Sequence, residues 1–317
     1  MKKSIVLLLL LAAFSDMKSQ SKITWKQLDS LAAFHKEATY FSTAETNVKL
    51  YYSMPTKVKA KAKLPAVIWI HGGAWVGGKA STFYAHAAYC ALNGAVGISL
   101  EYRVIDTNKS SIDTCIADCK AAINYIKANA AFFHIDTTKI AIVGESAGGH
   151  LAACMALLDT NNSTTPDALV LYNPVVNLAT GTFIKYMNAE VALQTNKKQD
   201  TTALLLQYQT AAKAISPLYL TKKHLPPTLI INGLEDKITP HPLAVRFADS
   251  LKKYKNKQKI VLLANVGHAF AVPHYKASEQ LVVDALLKAD AYLSKFGFLK
   301  GNVTVVNGND PNWLKRR

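Results

Sequence analysis

The 317-residue chain is poor in cysteine, with four: Cys90, Cys115, Cys119 and Cys154. No CxxC pair is accompanied by a histidine pair, so a structural zinc site of that kind is excluded. A chain of this length can build a large core, and neither metal nor disulfides are needed to hold it. The cysteines fall in apolar or helical stretches. Cys115 and Cys119, four apart on one helix, point their Cβ atoms away from mutual bonding. Buried free thiols are the expectation. Glycine (15) and proline (11) are too sparse for a collagen-like or low-complexity chain, and 50% hydrophobic residues exclude general disorder. No apolar run reaches the length of about 20 residues needed to span a bilayer. Acidic residues are few, 21 against 37 Lys and Arg, for a formal charge of +16.

The basic excess begins at the N-terminus. Met1-Lys2-Lys3-Ser4 precedes ten apolar residues, Ile5 to Phe14, the pattern of a secretory signal peptide. Cleavage is expected after Ser15 or Ser19, delivering a soluble chain to the periplasm or exterior. Two lysine-rich stretches follow. One contains Lys57, Lys59, Lys61 and Lys63; the other contains Lys252, Lys253, Lys255, Lys257 and Lys259. Neither interleaves with aromatics, and no nucleic-acid module is visible, so both read as solvated faces and no nucleic-acid partner is expected.

Along the chain, short apolar strands alternate with amphipathic helices. Strands are expected at 47–54, 66–70, 95–102, 139–143, 168–172, 228–232 and 260–263. Helices are expected at 82–93, 112–130, 147–158, 240–254 and 277–295. In the second helix Ile112, Ile116, Cys119, Ile123 and Ile126 recur at spacings of three and four. This alternation implies βαβ units, a mostly parallel sheet and one α/β domain over 20–299. The stretch 175–216 reads as a small cap insertion between core strands, and 300–317 as a loose polar tail.

The chemistry sits where strands end. Gly144-Glu145-Ser146-Ala147-Gly148 follows the apolar strand Ile140–Val143 and opens an Ala-rich helix. Gly-x-Ser-x-Gly in that context is a nucleophile elbow, which exposes the Ser146 hydroxyl above the sheet. The opening of the helix aims free N–H groups at developing negative charge. His71-Gly72-Gly73-Ala74-Trp75 follows another buried strand and offers backbone donors to the same space. Gly73, Ala74 and Ala147 are the candidate oxyanion-hole donors. His71, Gly72, Gly144 and Gly148 shape the two loops. Nine histidines compete for the base; His268, in Val-Gly-His-Ala-Phe just beyond the last core strand, is the best placed. The acid falls in Gly233-Leu234-Glu235-Asp236, where Glu235 and Asp236 both qualify on position. The chain order Ser, acid, His is that of one serine-hydrolase class.

The set HGGAW, GESAGGH, PPTLIINGLEDKITP and GHAF resembles the α/β-hydrolase superfamily. Within it the likeness is to acetyl esterase/lipase-type enzymes, hormone-sensitive-lipase-like and bacterial feruloyl or acetyl-xylan esterases. The resemblance covers roughly residues 48–296. It implies an α/β-hydrolase fold with Ser146 as nucleophile, Asp236 rather than Glu235 as acid, and His268 as base. It also implies that Arg103, in Tyr102-Arg103, pairs with Asp118 structurally. The third glycine of the usual His-Gly-Gly-Gly is Ala74 here, which narrows the hole. The proline-rich stretch that often follows Tyr-Arg is replaced by VIDTNKSSID.

The implied reaction is two-step acyl transfer without metal or organic cofactor. Expected substrates are short-chain acyl or feruloyl esters of small molecules or oligosaccharide fragments, with Phe183, Tyr186, Met187 and Tyr208 either walling a pocket or packing the cap. Aryl-formamide hydrolysis and exopeptidase action are the same-chemistry alternatives. A catalytically inactive polysaccharide- or cell-surface-binding protein is the alternative of another class.

Overall fold

The computed structural model describes residues 21–105, 111–180, 210–268, 270–273 and 277–306. The N-terminal signal-peptide pattern, the cap residues Phe183, Tyr186, Met187 and Tyr208, and the end of the polar tail lie outside these residues.

The chain opens with β1 (Ser21–Thr24) and α1 (Trp25–Ala32), whose start is closed by a reciprocal Thr24–Gln27 capping box. An antiparallel pair, β2 (Lys36–Ser42) and β3 (Asn47–Ser53), leads into β4 (Leu64–Ile70). Then come α2 (Tyr84–Leu92), β5 (Val96–Leu100), α3 (Ile112–Ala128), β6 (Ile135–Glu145) and α4 (Ala147–Leu157). The remainder is β7 (Ala168–Tyr172), β8 (Thr228–Gly233), α5 (His241–Lys253), β9 (Gln258–Leu263), α6 (Glu279–Lys295) and β10 (Val303–Val306). Eight strands form one sheet in the order β2-β3-β5-β4-β6-β7-β8-β9. From β5 to β9 every pairing is parallel; β3 runs antiparallel to its neighbours. This is the α/β-hydrolase fold.

Both faces of the sheet are covered, so the central strands are apolar throughout. Alternate residues serve two cores. Ala66, Ile68, Ile70, Ile140, Ile142, Leu169 and Leu171 pack toward α3, α4 and α5. Val67, Trp69, Ala141, Val143 and Val170 pack toward α1, α2 and α6. Each fully buried aliphatic side chain contributes about 1.5–3 kcal/mol against exposure. All four cysteines are free and buried. Burial pushes the Cys90 and Cys115 thiols up to about 12, which makes them poor nucleophiles. Arg103 grips Asp118 through Nε (2.9 Å) and Nη2 (2.6 Å) and donates its backbone N–H as well.

Three strands were not expected from the sequence. In β2 only Tyr40 is buried, because the strand lies at the sheet edge and presents polar residues to water. β1 and β10 pair in parallel as a separate two-stranded ribbon, Ser21 opposite Val303 and Ile23 opposite Val305. For Val303–Val306 the reading of a loose polar tail is thereby corrected; residues 307–317 lie outside the described residues. Ile23, Val303 and Val305 are buried against Trp25, Leu28 and Tyr89, and this apolar contact anchors the segment. The described ends of the expected cap are stitched together: Leu218 N–H donates to Val176 O (2.9 Å) and Leu178 N–H to Ser216 Oγ (2.8 Å). No described helix is long and apolar enough to cross a membrane.

Candidate active site

Five adjacent parallel strands, β4, β6, β7, β8 and β9, end at one edge of the sheet, where α/β folds gather their functional loops. Each loop delivers one component. Ser146 follows β6 with φ 54° and ψ −115°, a conformation costly for any residue with a Cβ. The turn fits because its neighbours are glycines. A Cβ on Gly148 would strike the carbonyl oxygen of Ile70, and one on Gly144 would strike that of Gly148. Ser146 N–H donates to Tyr172 O (3.0 Å), and Ser146 O accepts from His150 N–H (3.0 Å), which holds the turn.

His268, beyond β9, places Nε2 2.9 Å from Ser146 Oγ and Nδ1 2.8 Å from Asp236 Oδ2. A carboxylate accepts, so the ring proton sits on Nδ1 and Nε2 is open to the serine proton. Asp236, beyond β8, is 4% exposed. It also accepts from the N–H groups of Ile238 (2.9 Å) and Thr239 (2.8 Å) and from Thr239 Oγ1 (2.7 Å). Burial alone would raise its pKa. The His268 and Thr239 hydrogen bonds outweigh burial and hold the carboxyl below its ordinary value, so it is ionised at neutral pH. Glu235, the positional competitor, is exposed and outside this set. The two loops are tied together by Leu234 N–H to Leu263 O and Glu235 N–H to Val266 O, both 2.9 Å.

The loop after β4 supplies the donors. Gly73 (φ 119°), Ala74 (φ 54°) and Trp75 (φ 61°) all take positive φ. The turn is pinned by Val76 and Gly77 N–H groups on Gly73 O and by Ile105 N–H on Trp75 O (2.7 Å). A Cβ on Gly73 would meet the carbonyl of Gly77. The N–H groups of Gly73, Ala74 and Ala147 have no acceptor among the described residues. His71 is fully buried. It donates Nδ1–H to Gly72 O (2.8 Å), stacks on Tyr102 at 4.3 Å, and accepts the Tyr102 hydroxyl on its own carbonyl (3.0 Å). Burial lowers its pKa to about 4, so it stays neutral and shapes the loop. His150 is likewise buried, lowered to about 4, and bonded to Ile215 O.

Three residues at the centre were not singled out from sequence. Thr239 braces Asp236 and places its hydroxyl within reach of Asn173 O (3.2 Å). Asn173, fully buried beyond β7, sets its Nδ2 3.2–3.3 Å from both nitrogens of His268. Those nitrogens are already committed in the ring plane, so the amide contact buttresses the ring. The same Nδ2 reaches Glu145 Oε1 (3.3 Å). Glu145 is 1% exposed, its Oε2 lies against Gly72 without a well-formed hydrogen bond, and burial raises its pKa. Residues of this kind carry no signal in sequence beyond their places near strand ends. Among the described residues no group of three or more His, Cys, Asp or Glu could hold a metal ion.

A hydroxyl, an imidazole and a buried carboxylate in relay, beside three N–H groups without an acceptor among the described residues, can attack a carbonyl and hold the resulting oxyanion. The BD-FAE family model matches residues 52–251. Esterase LipC of Mycobacterium tuberculosis is 30% identical over 235 residues, 68% of this chain and 54% of that protein. The chain thus spans between about a quarter and about half of the length of the curated relatives it matches. Among solved structures, propionate-bound Est2 of Thermogutta terrifontis superposes with a TM-score of 0.72 at 28% identity, covering 84% of this chain and 96% of that one. The same esterase phosphonylated by sarin gives 0.72 at 27% identity with the same coverage.

Proposed function

Because the chain belongs to the BD-FAE family and has the α/β-hydrolase fold, we propose that it is a serine carboxylic-ester hydrolase working through an acyl-enzyme. The observation that carries this reading is the Ser146–His268–Asp236 relay, 2.9 and 2.8 Å per link, beside donors with no other acceptor among the described residues. His268 Nε2 takes the Ser146 proton as Oγ attacks the ester carbon. The N–H groups of Gly73, Ala74 and Ala147 receive the oxyanion. Each such donor lowers the barrier by about 3–4 kcal/mol. Asp236 keeps the Nδ1 tautomer and stabilises the imidazolium, which then protonates the leaving alcohol. Water repeats the steps on the acyl-enzyme.

Short acyl groups are the favoured substrate side. The propionate bound to Est2 of T. terrifontis supports that choice, and the sarin adduct of the same enzyme supports a reactive serine. The Met1–Phe14 export pattern supports a periplasmic or extracellular site, and hence acyl or feruloyl esters of polysaccharide fragments as the natural class. The test is hydrolysis of p-nitrophenyl acetate, butyrate and octanoate by the purified protein and by Ser146→Ala. Turnover biased to acetate in the parent, with none in a variant of unchanged melting temperature, is expected. Turnover in Ser146→Ala would refute the nucleophile. Turnover of aryl-formamides but no esters would move the reading to amide chemistry.

A further inference from the structure

At the opposite end of β8 and β9 from the triad lies a cavity of about 720 Å³ between edge strand β9 and helix α6. Lys257, at the entry to β9, and Lys259 within it line it from the strand side, Lys288 and Lys295 from the helix, with Tyr292 and Phe296 also in its wall. No acidic side chain lines it. The placement follows from periodicity. Positions 257 and 259 alternate onto one face of the strand, and positions 288, 292 and 295 share one face of the helix. All four lysines are exposed, and none is ion-paired to a described residue. In the helix, Asp284 accepts from Gln280 Nε2 (2.7 Å) and Asp290 from Ser294 Oγ (3.1 Å), and neither carboxylate lines the recess.

Lysines on an edge strand guard against edge-to-edge pairing, which accounts for Lys257 and Lys259. It does not account for Lys288 and Lys295, which face the strand lysines from the helix. Four like charges around one recess repel one another and focus an attractive potential for anions. We propose that this groove is a non-catalytic docking site for a carboxylate-bearing polysaccharide chain. The charges are spread along about 7 Å of strand and about 10 Å of helix, beyond the span of a single small anion but within that of consecutive acidic sugars. Tyr292 and Phe296, packed edge to face at 5.1 Å, provide apolar surface for sugar rings. The recess is concave, and none of the large exposed apolar side chains, such as Phe34 or Phe132, lines it, which disfavours a lipid surface. The occupant is taken from the polysaccharide reading of the function above; the site itself is independent of Ser146 chemistry.

The test is binding of the full chain to polygalacturonate by calorimetry at low and physiological salt, with neutral xylan and phosphatidylglycerol/phosphatidylcholine vesicles as comparators. One variant carries Lys257→Ser, Lys259→Ser, Lys288→Ser and Lys295→Ser. A second removes the same charge elsewhere: Lys57→Ser, Lys59→Ser, Lys61→Ser and Lys63→Ser. The groove variant is expected to lose at least about tenfold in affinity and the other no more than about twofold. Both should keep parental p-nitrophenyl ester hydrolysis, so failure of the esterase reading would show in activity and failure of the docking site only in binding. Equal losses in the two variants would mean that bulk charge alone attracts the polymer, which refutes a dedicated groove. Equal binding to xylan, unchanged binding by the groove variant, or tighter binding to the vesicles would each overturn the proposal.

Discussion

Replacing Asp236 by Asn tests the relay at its least replaceable atom. The amide oxygen can take the place of Oδ1 and keep the N–H groups of Ile238 and Thr239. The amide nitrogen then occupies the place of Oδ2, 2.8 Å from His268 Nδ1 and 2.7 Å from Thr239 Oγ1. The Thr239 hydroxyl can rotate and accept. The imidazole adapts only by changing tautomer, because Nδ1 facing a donor must accept and the single ring proton moves to Nε2. That proton then points at Ser146 Oγ, 2.9 Å away, and the ring can no longer receive the serine proton. Loss of the correct tautomer and of the buried charge costs about 10⁴ in kcat, near 5.4 kcal/mol of barrier. Stability should change little, since the two N–H bonds are kept and the two at the Oδ2 position are re-formed with reversed polarity.

The assay is kcat/KM on p-nitrophenyl acetate for Asp236→Asn and Glu235→Gln, with thermal melts of both. The expectation is a drop of about four decades for the first and parental activity for the second. An Asn variant within about tenfold of the parent would remove Asp236 from the relay, and a larger loss in Glu235→Gln would move the acid one residue back.

Two further outcomes follow from buried carboxylates. Removing the guanidinium in Arg103→Ala strands Asp118, which is 1% exposed, and should destabilise the fold by about 3–5 kcal/mol in urea titration. A loss under about 1 kcal/mol would show that water or another group replaces the arginine. Asp159 accepts from the N–H groups of Asn161, Thr164 and Thr165 and from the Thr165 hydroxyl. Burial would raise its pKa, but these bonds bring it down to about 2 from an ordinary 3.8. A pKa lower in the folded state contributes stability above the ordinary value and loses it as pH falls from about 4 to about 2, here about 2 kcal/mol. Asp159→Asn should therefore be less stable at pH 7 and flatter across that window; parallel acid curves for parent and variant would contradict the assignment.

What could be read from the amino acids, and what could not, divides along sequence distance. Strands such as Ile140–Val143 and Ala168–Tyr172 announce themselves because burial on both faces leaves them wholly apolar over a few residues. The elbow is legible for a similar local reason: a serine forced to φ 54° admits only Gly144 and Gly148 around it. The β1–β10 ribbon is not, although Val303–Val306 is β-branched and strand-like. Its partner is Ser21–Thr24 at the other end of the chain, and no local pattern reports a pairing across that separation.

Choosing among nine histidines shows the same boundary at the site. His268 could be picked because it follows the last core strand, and chain order along a parallel sheet translates directly into position along its edge. His71, close to the donors in both sequence and space, reads as loop-shaping from its place in the glycine loop, and the fold adds the reason, its burial and its committed Nδ1–H. Asn173 is the converse case. It is held by Thr239 from the acid's loop and faces His268 from the next loop, so its place depends on two chain segments at once. Strand-end order therefore selects which residue types meet, whereas the hydrogen bonds between loops, Leu234 to Leu263 and Glu235 to Val266, set the distance at which they meet. A relay that functions only within a few tenths of an ångström depends on the second, so the contacts least visible in the chain are the ones that decide whether Ser146 can react.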